Sequence, residues 1–290
     1  MINYFLKFKT RNLISKPPSF DDIKKSKTVL FSIFTRYGDT VIDLVIIKEF
    51  MDLYRDKEYL VICPKQMKPY VNEIIPNTEC YSFNKRNPIE FFNLIKLLKS
   101  RDFDIGFNPW SNGLDSDFYL SFCKKFLFYK DFKKPEIVNH YQVVRMYLKL
   151  PEKDWKINDF NLKENYKKIL ICPQSTDTNR NIQSEQLDQF IDDFNRTYNF
   201  PEITIASMDK SNFRRGCKSL KLEKSANSSQ LLISTMKQSS LVVCPDSGPL
   251  HIALCLNKNL IAYIRSTKPK DVINSGSSVV INYEKSLNHE

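Results

Sequence analysis

The chain has 290 residues, 44 Lys and Arg against 33 Asp and Glu, and a formal net charge of +11. This length suits two domains of ordinary size, and the positive excess favours an acidic partner such as a nucleotide or a phosphorylated glycan. The seven cysteines are scattered without a CxxC pair, which argues against a zinc site. We therefore expect Cys63, Cys172 and Cys244 to be reduced core residues of a cytoplasmic protein.

Residues 1–27 are predicted to form a basic, amphipathic N-terminal extension. Apolar side chains at Ile2, Phe5, Leu6, Leu13 and Ile14 can share one helical face. Two interpretations stay open: a helix on the anionic inner membrane, at its cytoplasmic face, or a segment packed on its own domain. No apolar run reaches the roughly 18 to 20 residues needed to span a bilayer, and the first nine residues do not resemble a signal peptide.

Strands and helices alternate along the chain, which predicts an α/β protein with parallel sheets. In the first half, strands are predicted at 28–34, 59–63 and 103–107, and helices at 40–54 and 88–99. In the second half, strands are predicted at 168–172, 203–206, 241–244 and 260–264, and helices at 184–197 and 228–237, with Ser184 as an N-cap.

A polar segment without strong periodicity, residues 151–165, separates the two halves and predicts an interdomain linker. We therefore expect two Rossmann-like domains, 28–155 and 166–290, whose sheets face each other across a cleft. Ligands of such folds bind beyond the carboxyl ends of the strands.

The segment around residues 244–251, Cys-Pro-Asp-Ser-Gly-Pro-Leu-His, is the most informative part of the sequence. A buried strand is predicted to end at Pro245, a tight turn to follow, and a helix to open at His251. Backbone N–H groups at a helix N-terminus favour an anion, and Gly248 lets the backbone approach a ligand closely.

Two further strand ends carry polar side chains. Gly38 and Asp39 follow the first strand, and Asp39 either acts as a general base or caps the helix predicted from Thr40. Ser175 and the residues up to Arg180 follow the first strand of the second half. Hydroxyl donors and a forked guanidinium suit a phosphate.

In this order, the three motifs resemble the heptosyltransferase family of glycosyltransferases (family 9), over roughly residues 29–264. The resemblance implies a GT-B fold and inverting, metal-independent transfer of a sugar from a nucleotide-sugar donor. The implied acceptor is lipopolysaccharide, lipooligosaccharide or a related surface glycan, and Asp39 corresponds to the general base. The implied donor-binding residues are Ser175, Thr176, Arg180, Asp246, Ser247, Gly248, Pro249, Leu250 and His251.

Departures from the family pattern leave the donor open between ADP-heptose and another nucleotide sugar. Arginine at 180 replaces the usual lysine, and Ile182 replaces the usual aromatic residue. The helix after Asp39 lacks a proline at 42–47. Asp209, after the strand at 203–206, is assigned to the donor ribose.

The N-terminal domain is expected to receive the acceptor. Arg36, Gly38, Trp110 and Asn112 are its candidate contacts, although Trp110 suits the core equally well. A basic run at 124–134, with five lysines against one aspartate, either meets a phosphorylated glycolipid or forms a basic helix surface.

The sequence leaves two alternatives to this enzyme. A degenerate GT-B protein would bind a nucleotide sugar without transferring it. A nucleic-acid-binding protein is disfavoured because the sequence holds no motif of that class and its positive charge is dispersed. No cofactor is expected beyond the donor substrate, and no metal.

Overall fold

The computed structural model describes residues 13–111, 113–134, 139–151, 153, 157–158, 166–265, 267–273 and 277–283. The chain divides into two compact units, an N-terminal unit (Met1–Glu152) and a C-terminal unit (Lys153–Glu290). Each unit is built around a parallel β-sheet flanked by helices, as the alternating pattern predicts. The predicted α/β class is therefore confirmed.

The described residues of the N-terminal unit form a five-stranded parallel sheet. Its strands are β1 (Thr28–Ser32), β2 (Glu58–Pro64), β3 (Glu79–Phe83), β4 (Phe103–Phe107) and β5 (Cys123–Leu127). Their order in the sheet is β3-β2-β1-β4-β5, which is the doubly wound order. The direction of winding reverses between β1 and β4, so this is where a ligand crevice is expected.

Helices and helical turns cover this sheet. They are α1 (Phe20–Lys25), α2 (Tyr37–Leu53), α3 (Lys68–Ile74), α4 (Pro88–Ser100), α5 (Leu114–Leu120) and α6 (His140–Tyr147), with 3-10 turns at Lys65–Met67 and Tyr129–Asp131. The sheet is buried on both faces. Leu30 packs with Leu60 and Phe91 on one face, and Phe31 meets the rings of Phe50 and Phe107.

The C-terminal unit has a six-stranded sheet. Its strands are β7 (Lys168–Ile171), β8 (Glu202–Ser207), β9 (Lys218–Lys221), β10 (Leu241–Pro245), β11 (Leu260–Ile264) and β13 (Val280–Tyr283), and a separate parallel pair joins β6 (Ile157–Asn158) to β12 (Ser277–Ser278). The order β13-β11-β10-β7-β8-β9 is again doubly wound, and it reverses between β7 and β10. Its helices are α7 (Ser184–Thr197), α8 (Ala226–Gln238), α9 (Gly248–Cys255) and α10 (Pro269–Val272), with 3-10 turns at Thr178–Arg180 and Lys210–Asn212.

Element boundaries follow the sequence predictions closely in several places. The strands at 103–107 and 260–264 and the helix at 184–197 have the predicted bounds. The predicted N-cap at Ser184 is wrong. Gln183 is the N-cap, and it forms a capping box with Gln186.

The basic run at 124–134 does not form a helix, which contradicts one of its two interpretations, a basic helix surface. Its first part is strand β5, and a short 3-10 turn at Tyr129–Asp131 follows. Strand β5 has the sequence Cys-Lys-Lys-Phe-Leu, in which two adjacent exposed lysines hide the strand pattern.

Part of the predicted N-terminal extension is packed on the N-terminal unit. Lys16 exchanges two backbone hydrogen bonds of 2.9 Å with Phe126, Ser19 caps α1, and Ile23 is fully buried. Leu13 and Ile14 lie outside any helix. The remaining residues of the proposed apolar face, Ile2, Phe5 and Leu6, lie outside the described residues.

The three cysteines assigned to the core, Cys63, Cys172 and Cys244, are all buried. They lie on, or directly after, β2, β7 and β10. Burial raises the pKa of the Cys172 thiol to about 12, so this side chain stays a neutral, unreactive thiol.

Gly106 in β4 offers a test of how tightly β4 packs against Leu120 and Cys123. A Cβ at this position would lie 2.6 Å from Cys123 Sγ and 2.9 Å from Leu120 Cδ2. Gly106→Ala should therefore lower the free energy of unfolding by about 1–3 kcal/mol, measured by urea denaturation. In a Cys123→Ala background the added methyl should cost less, and equal costs in both backgrounds would contradict the contact.

Candidate active site

A buried carboxylate organises the switch point of the C-terminal unit. Asp246 directly follows β10 and is 4% exposed. Its Oδ2 accepts hydrogen bonds from Arg180 Nη1 at 2.7 Å and from Thr267 Oγ1 at 2.8 Å. Ser175 Oγ donates to the Asp246 carbonyl at 3.2 Å. These contacts join the loops that follow β7, β10 and β11.

The loop after β7 is built to present Arg180. Asp177 caps the 3-10 turn that ends at Arg180, by accepting a hydrogen bond from the Asn179 amide. The loop is closed by Asn181, whose Oδ1 accepts from the Ser175 amide at 2.7 Å. Ile182, at the position that is usually aromatic in the family, is 3% exposed in the core of this unit, so its role is apolar packing.

The Arg180 side chain is one-third exposed and lies between two carboxylates. Its Nε is 3.4 Å from Asp177 Oδ2, while Nη1 contacts Asp246. Among the described residues, Nη2 has no hydrogen-bond partner. The guanidinium therefore keeps N–H groups for a ligand while Asp246 fixes its orientation.

The helix after β10 begins earlier than the sequence predicts. Helix α9 starts at Gly248, so Gly248 lies in its first turn and His251 does not open it. Ser247 is an extended N-cap whose hydroxyl donates to the Pro245 carbonyl rather than to the helix. Pro249 occupies the second position, which suits a residue without an N–H. The positive end of the helix therefore lies beside Asp246 and Arg180.

The remaining predicted donor residues differ in their surroundings. Leu250 and His251 are buried, and Thr176 is exposed. Asp209 is exposed, and its Oδ1 accepts from the Ser211 amide at 2.9 Å, which lowers the pKa of the Asp209 carboxyl. Its assignment to the donor ribose stays a prediction.

Sequence reasoning missed Gln174, Thr267 and Arg265 at this end of the sheet. Gln174 Oε1 accepts from Ser207 Oγ and the Met208 amide, both at 2.8 Å, and so joins the loops after β7 and β8. Each of the three lies within three residues of a strand end, which is the signal that could have indicated them.

In the N-terminal unit, the structure contradicts the alternative that Asp39 caps the helix. Helix α2 begins at Tyr37 with Arg36 as its N-cap, so Asp39 is the third residue of the helix. Gly38 likewise lies within the helix rather than in a turn. A carboxylate in the first turn is stabilised by the helix dipole. Asp39 is half-buried, and its role as a base stays a prediction.

A second carboxyl lies one turn further along the same helix. Asp43 is fully buried, its Oδ2 lies 3.5 Å from Thr35 Oγ1, and among the described residues its Oδ1 has no hydrogen-bond partner. Burial and the negative charge of Asp39 raise the pKa of Asp43 well above its usual value. The sequence signal was a charged residue within the apolar stretch 41–47.

Trp110 lies in the loop after β4, beside the switch point of this sheet. Its φ of 51° is in the left-handed region, an uncommon conformation for a bulky residue and a source of strain. The half-buried ring packs 5.2 Å from the rings of both Tyr129 and His140, and Lys134 Nζ lies 4.9 Å from its centroid. Asn112 lies outside the described residues.

The loop that carries Trp110 is fixed by the buried side chain of Asn108. Its amide donates to the Ser111 carbonyl at 3.1 Å and to Asp117 Oδ1 at 3.0 Å. The side-chain carbonyl oxygen of Asn108 accepts hydrogen bonds from the Tyr129 amide and the Tyr147 hydroxyl. This network holds the strained conformation of Trp110 in place.

Three of the five lysines in the run at 124–134 are engaged in ion pairs. Lys124 pairs with Asp102 and Asp104, Lys125 with Asp22, and Lys130 with Asp117. The positive field of this run is therefore weaker than its sequence suggests. Lys134 lies over Trp110 instead, at the end of the run.

Comparison with known proteins confirms the predicted resemblance. The family model described as glycosyltransferase family 9 (heptosyltransferase) matches residues 229–289. The match includes Asp246, α9 and the loop after β11. A search of the curated proteins finds no match.

Solved structures match most of the chain at low sequence identity. A glycosyltransferase family 9 protein from Veillonella parvula is 12% identical, with a TM-score of 0.69 over 90% of this chain and 86% of its own. The ADP-heptose lipopolysaccharide heptosyltransferase II of E. coli is 14% identical, with a TM-score of 0.66 over 90% and 94%. The E. coli heptosyltransferase WaaC with ADP is 10% identical, with a TM-score of 0.62 over 88% and 93%.

Two doubly wound units in tandem, matching these structures along nearly their whole length, give the GT-B fold that the sequence predicts. At such identities the structural likeness establishes the fold alone. The family match and the fold are together those of a glycosyltransferase.

The state of Asp43 can be tested through the pH dependence of stability. Its pKa is raised in the folded protein, so the folded chain holds a proton that the unfolded chain releases above about pH 4. Stability contributed by this group is present below pH 4 and falls as the pH rises. Asp43→Asn should therefore stabilise the protein more at pH 8 than at pH 4, in chemical denaturation.

Asp52→Asn is the matched control, because Asp52 is an exposed carboxyl on the same helix. It should leave the pH dependence unchanged. An Asp43→Asn protein whose pH dependence equals that of the wild type would contradict a neutral Asp43.

Proposed function

We propose that the chain is an inverting, metal-independent glycosyltransferase. It would move a sugar from a nucleotide-sugar donor to lipopolysaccharide, lipooligosaccharide or a related surface glycan. The observation that carries this proposal is the Arg180–Asp246 pair beside the N-terminus of α9, at the switch point of the C-terminal sheet. This arrangement offers directed N–H donors and positive potential to a diphosphate.

The reaction needs a base on the acceptor and stabilisation of the leaving group. We assign the base to Asp39, which takes the proton of the acceptor hydroxyl as its oxygen attacks the anomeric carbon. The bond between that carbon and the diphosphate oxygen breaks with its electron pair, and one displacement inverts the anomeric centre. Arg180 and the N-terminus of α9 stabilise the negative charge that develops on the diphosphate.

The other donor-site residues have distinct proposed roles. Ser175, Thr176 and Ser247 supply hydroxyl groups, and Gly248 allows close approach of the backbone. Solved neighbours are described with ADP and with ADP-2-deoxy-2-fluoro heptose, so ADP-heptose is the first donor to test. A different nucleotide sugar remains the alternative, because of the departures at Arg180 and Ile182.

We place the acceptor on the N-terminal unit, near Arg36, Gly38 and Trp110. An exposed Arg36 and the strained loop at Trp110 flank the switch point of that sheet. Among the described residues, no helix has both the length and the apolar character needed to cross a bilayer. We propose peripheral association of the basic N-terminal residues with the anionic cytoplasmic face of the inner membrane.

Catalysis is tested at Asp39. Asp39→Asn keeps the size of the side chain and removes the base, so turnover should fall by about 10²- to 10⁴-fold in a transfer assay that follows nucleoside diphosphate release. Donor affinity and melting temperature should stay near the wild-type values. Asp52→Asn, on the same helix, serves as the control and should transfer normally.

This test also separates the enzyme from a GT-B protein that binds a nucleotide sugar without transferring it. Retained activity in Asp39→Asn would refute the proposed base. Absence of transfer by the wild-type protein, with donor binding intact, would favour the binding protein.

Donor binding is tested at Arg180. Arg180→Ala removes a charge-assisted contact and also leaves the buried Asp246 without its ion partner, so affinity for the preferred nucleoside diphosphate should fall by about 1.5–3 kcal/mol or more. Arg180→Lys should retain part of the affinity. Calorimetry with ADP, UDP and GDP measures both effects and identifies the preferred nucleobase. Unchanged affinity in Arg180→Ala would exclude the phosphate contact.

A further inference from the structure

The outer face of α4 presents two large apolar side chains to solvent. Ile89 is 70% exposed and Phe92 is 65% exposed. Among the described residues, they are the only two large apolar side chains of such exposure that share a helix. They are three residues apart, so they are neighbours on the helix surface. Adjacent exposed apolar groups of this size are typical of an interaction surface.

The opposite face of α4 holds the helix on its sheet. Phe91, Leu94 and Leu98 are buried in the core of the N-terminal unit. The helix start is capped by Asn87, whose side chain accepts a hydrogen bond from the Ile89 amide at 3.0 Å. The fold therefore uses one face of α4 and leaves the other to solvent, so substitutions on the outer face should not unfold the unit.

Two lysines continue the apolar pair along the helix. Lys96 and Lys99 follow Phe92 by four and seven residues, which places them on the same side of a helix with 3.6 residues per turn. We call this surface the α4 face, and it is defined by four exposed side chains: Ile89, Phe92, Lys96 and Lys99.

The α4 face has an unbalanced positive charge. Neither of its lysines has an ion partner among the described residues. The one acidic residue of α4 is Glu90, which is already paired with Lys65 at 2.7 Å. Arg86, in the turn before the helix, adds a further exposed cation. Cations and apolar groups on one surface complement an anionic lipid bilayer, because its headgroups are negative and its interior is apolar.

We propose that the α4 face docks the protein on an anionic lipid surface, and this rests on the proposed function, whose glycan acceptor is held in a membrane. The side chains of Ile89 and Phe92 enter the headgroup region. The lysine stems pack along the apolar boundary while their ammonium groups stay at the lipid phosphates. This contact is made by the folded N-terminal unit and is separate from any contact of the basic N-terminal residues.

The experiment measures partitioning of the full chain onto vesicles by sedimentation. One set of vesicles contains phosphatidylethanolamine and phosphatidylglycerol, and the other contains only the zwitterionic phosphatidylcholine. Two double variants remove the apolar half and the basic half of the α4 face separately: Ile89→Ser with Phe92→Ser, and Lys96→Gln with Lys99→Gln. All four sites are exposed, so the melting temperatures should stay near the wild-type value.

We expect the wild-type protein to prefer the anionic vesicles. The glutamine variant should bind them about 30-fold less well, because each cation near an anionic surface contributes about a fivefold gain in affinity. The serine variant should bind at least about tenfold less well, because its side chains no longer bring apolar area into the interface.

Matched controls lie on the C-terminal unit. Arg215→Gln with Lys224→Gln also removes two exposed cations, and Leu231→Ser also removes an exposed apolar side chain from a helix. Both controls should bind the anionic vesicles as the wild type does. Phe92→Trp gives a direct readout, because its added fluorescence should shift to the blue with anionic vesicles. Phe200→Trp, at a site that is 78% exposed, should show no such shift.

Wild-type vesicle binding in either double variant would overturn the inference, as would equal losses in the controls or an unshifted Phe92→Trp emission. A serine variant that loses self-association in ultracentrifugation but keeps vesicle binding would assign the face to a second copy of the chain instead. If sugar transfer is observed and vesicle binding does not depend on the α4 face, only this inference fails. If vesicle binding depends on the face and the folded wild-type protein transfers no sugar, only the proposed function fails.

Discussion

The buried carboxylate of Asp246 is the constraint on which the C-terminal site depends. Removing a charge from water costs several kcal/mol unless it is paired and hydrogen-bonded. At 4% exposure, Asp246 meets this requirement through Arg180 and Thr267. Their loops are thereby held at fixed positions around the end of β10. The geometry of the site follows from the need to satisfy one buried charge.

The pairing of Asp246 with Arg180 has an electrostatic consequence. The ion partner of Asp246 is Arg180, the same arginine that the sequence assigns to the donor phosphates. The pairing therefore fixes the orientation of the Arg180 guanidinium but reduces its positive electrostatic potential. The N-terminus of α9, beside this pair, supplies a partial positive charge.

Two aspartates on α2 show how burial separates residues of one type. Asp39 lies in the first turn, where the helix dipole favours a carboxylate, and it is half-buried. Asp43, one turn on, is fully buried, and the charge of Asp39 adds to the desolvation that raises the pKa of Asp43. An uncompensated buried carboxyl lowers stability at neutral pH, so the pH dependence of unfolding reports its state directly.

The N-terminal unit also restrains the loop at Trp110 by satisfying buried polar groups. Asn108 uses both ends of its amide to hold the loop, and Asp117 is shared between Asn108 and Lys130. These bonds balance the backbone strain at Trp110. The aromatic ring therefore has a fixed place beside the switch point of the sheet, with Lys134 above it.

The sequence by itself determined the α/β class, most central elements and the strand ends that carry polar residues. Periodicity and strand-to-turn transitions are local, so the strand at 103–107 and the helix at 184–197 could be located within one or two residues.

Tertiary structure decided the rest. The helix starts at Tyr37 and Gly248 depend on the path of the loop that follows each strand. Because of these starts, Asp39 lies inside its helix and does not cap it, and His251 lies at the end of a first turn. Strand β5 was hidden by exposed lysines whose ion partners are distant in sequence. The pairing of Arg180 with Asp246, 66 residues apart, and the approach of Arg265 to Asn181, 84 residues away, depend on the order of β7, β10 and β11, which no local pattern specifies.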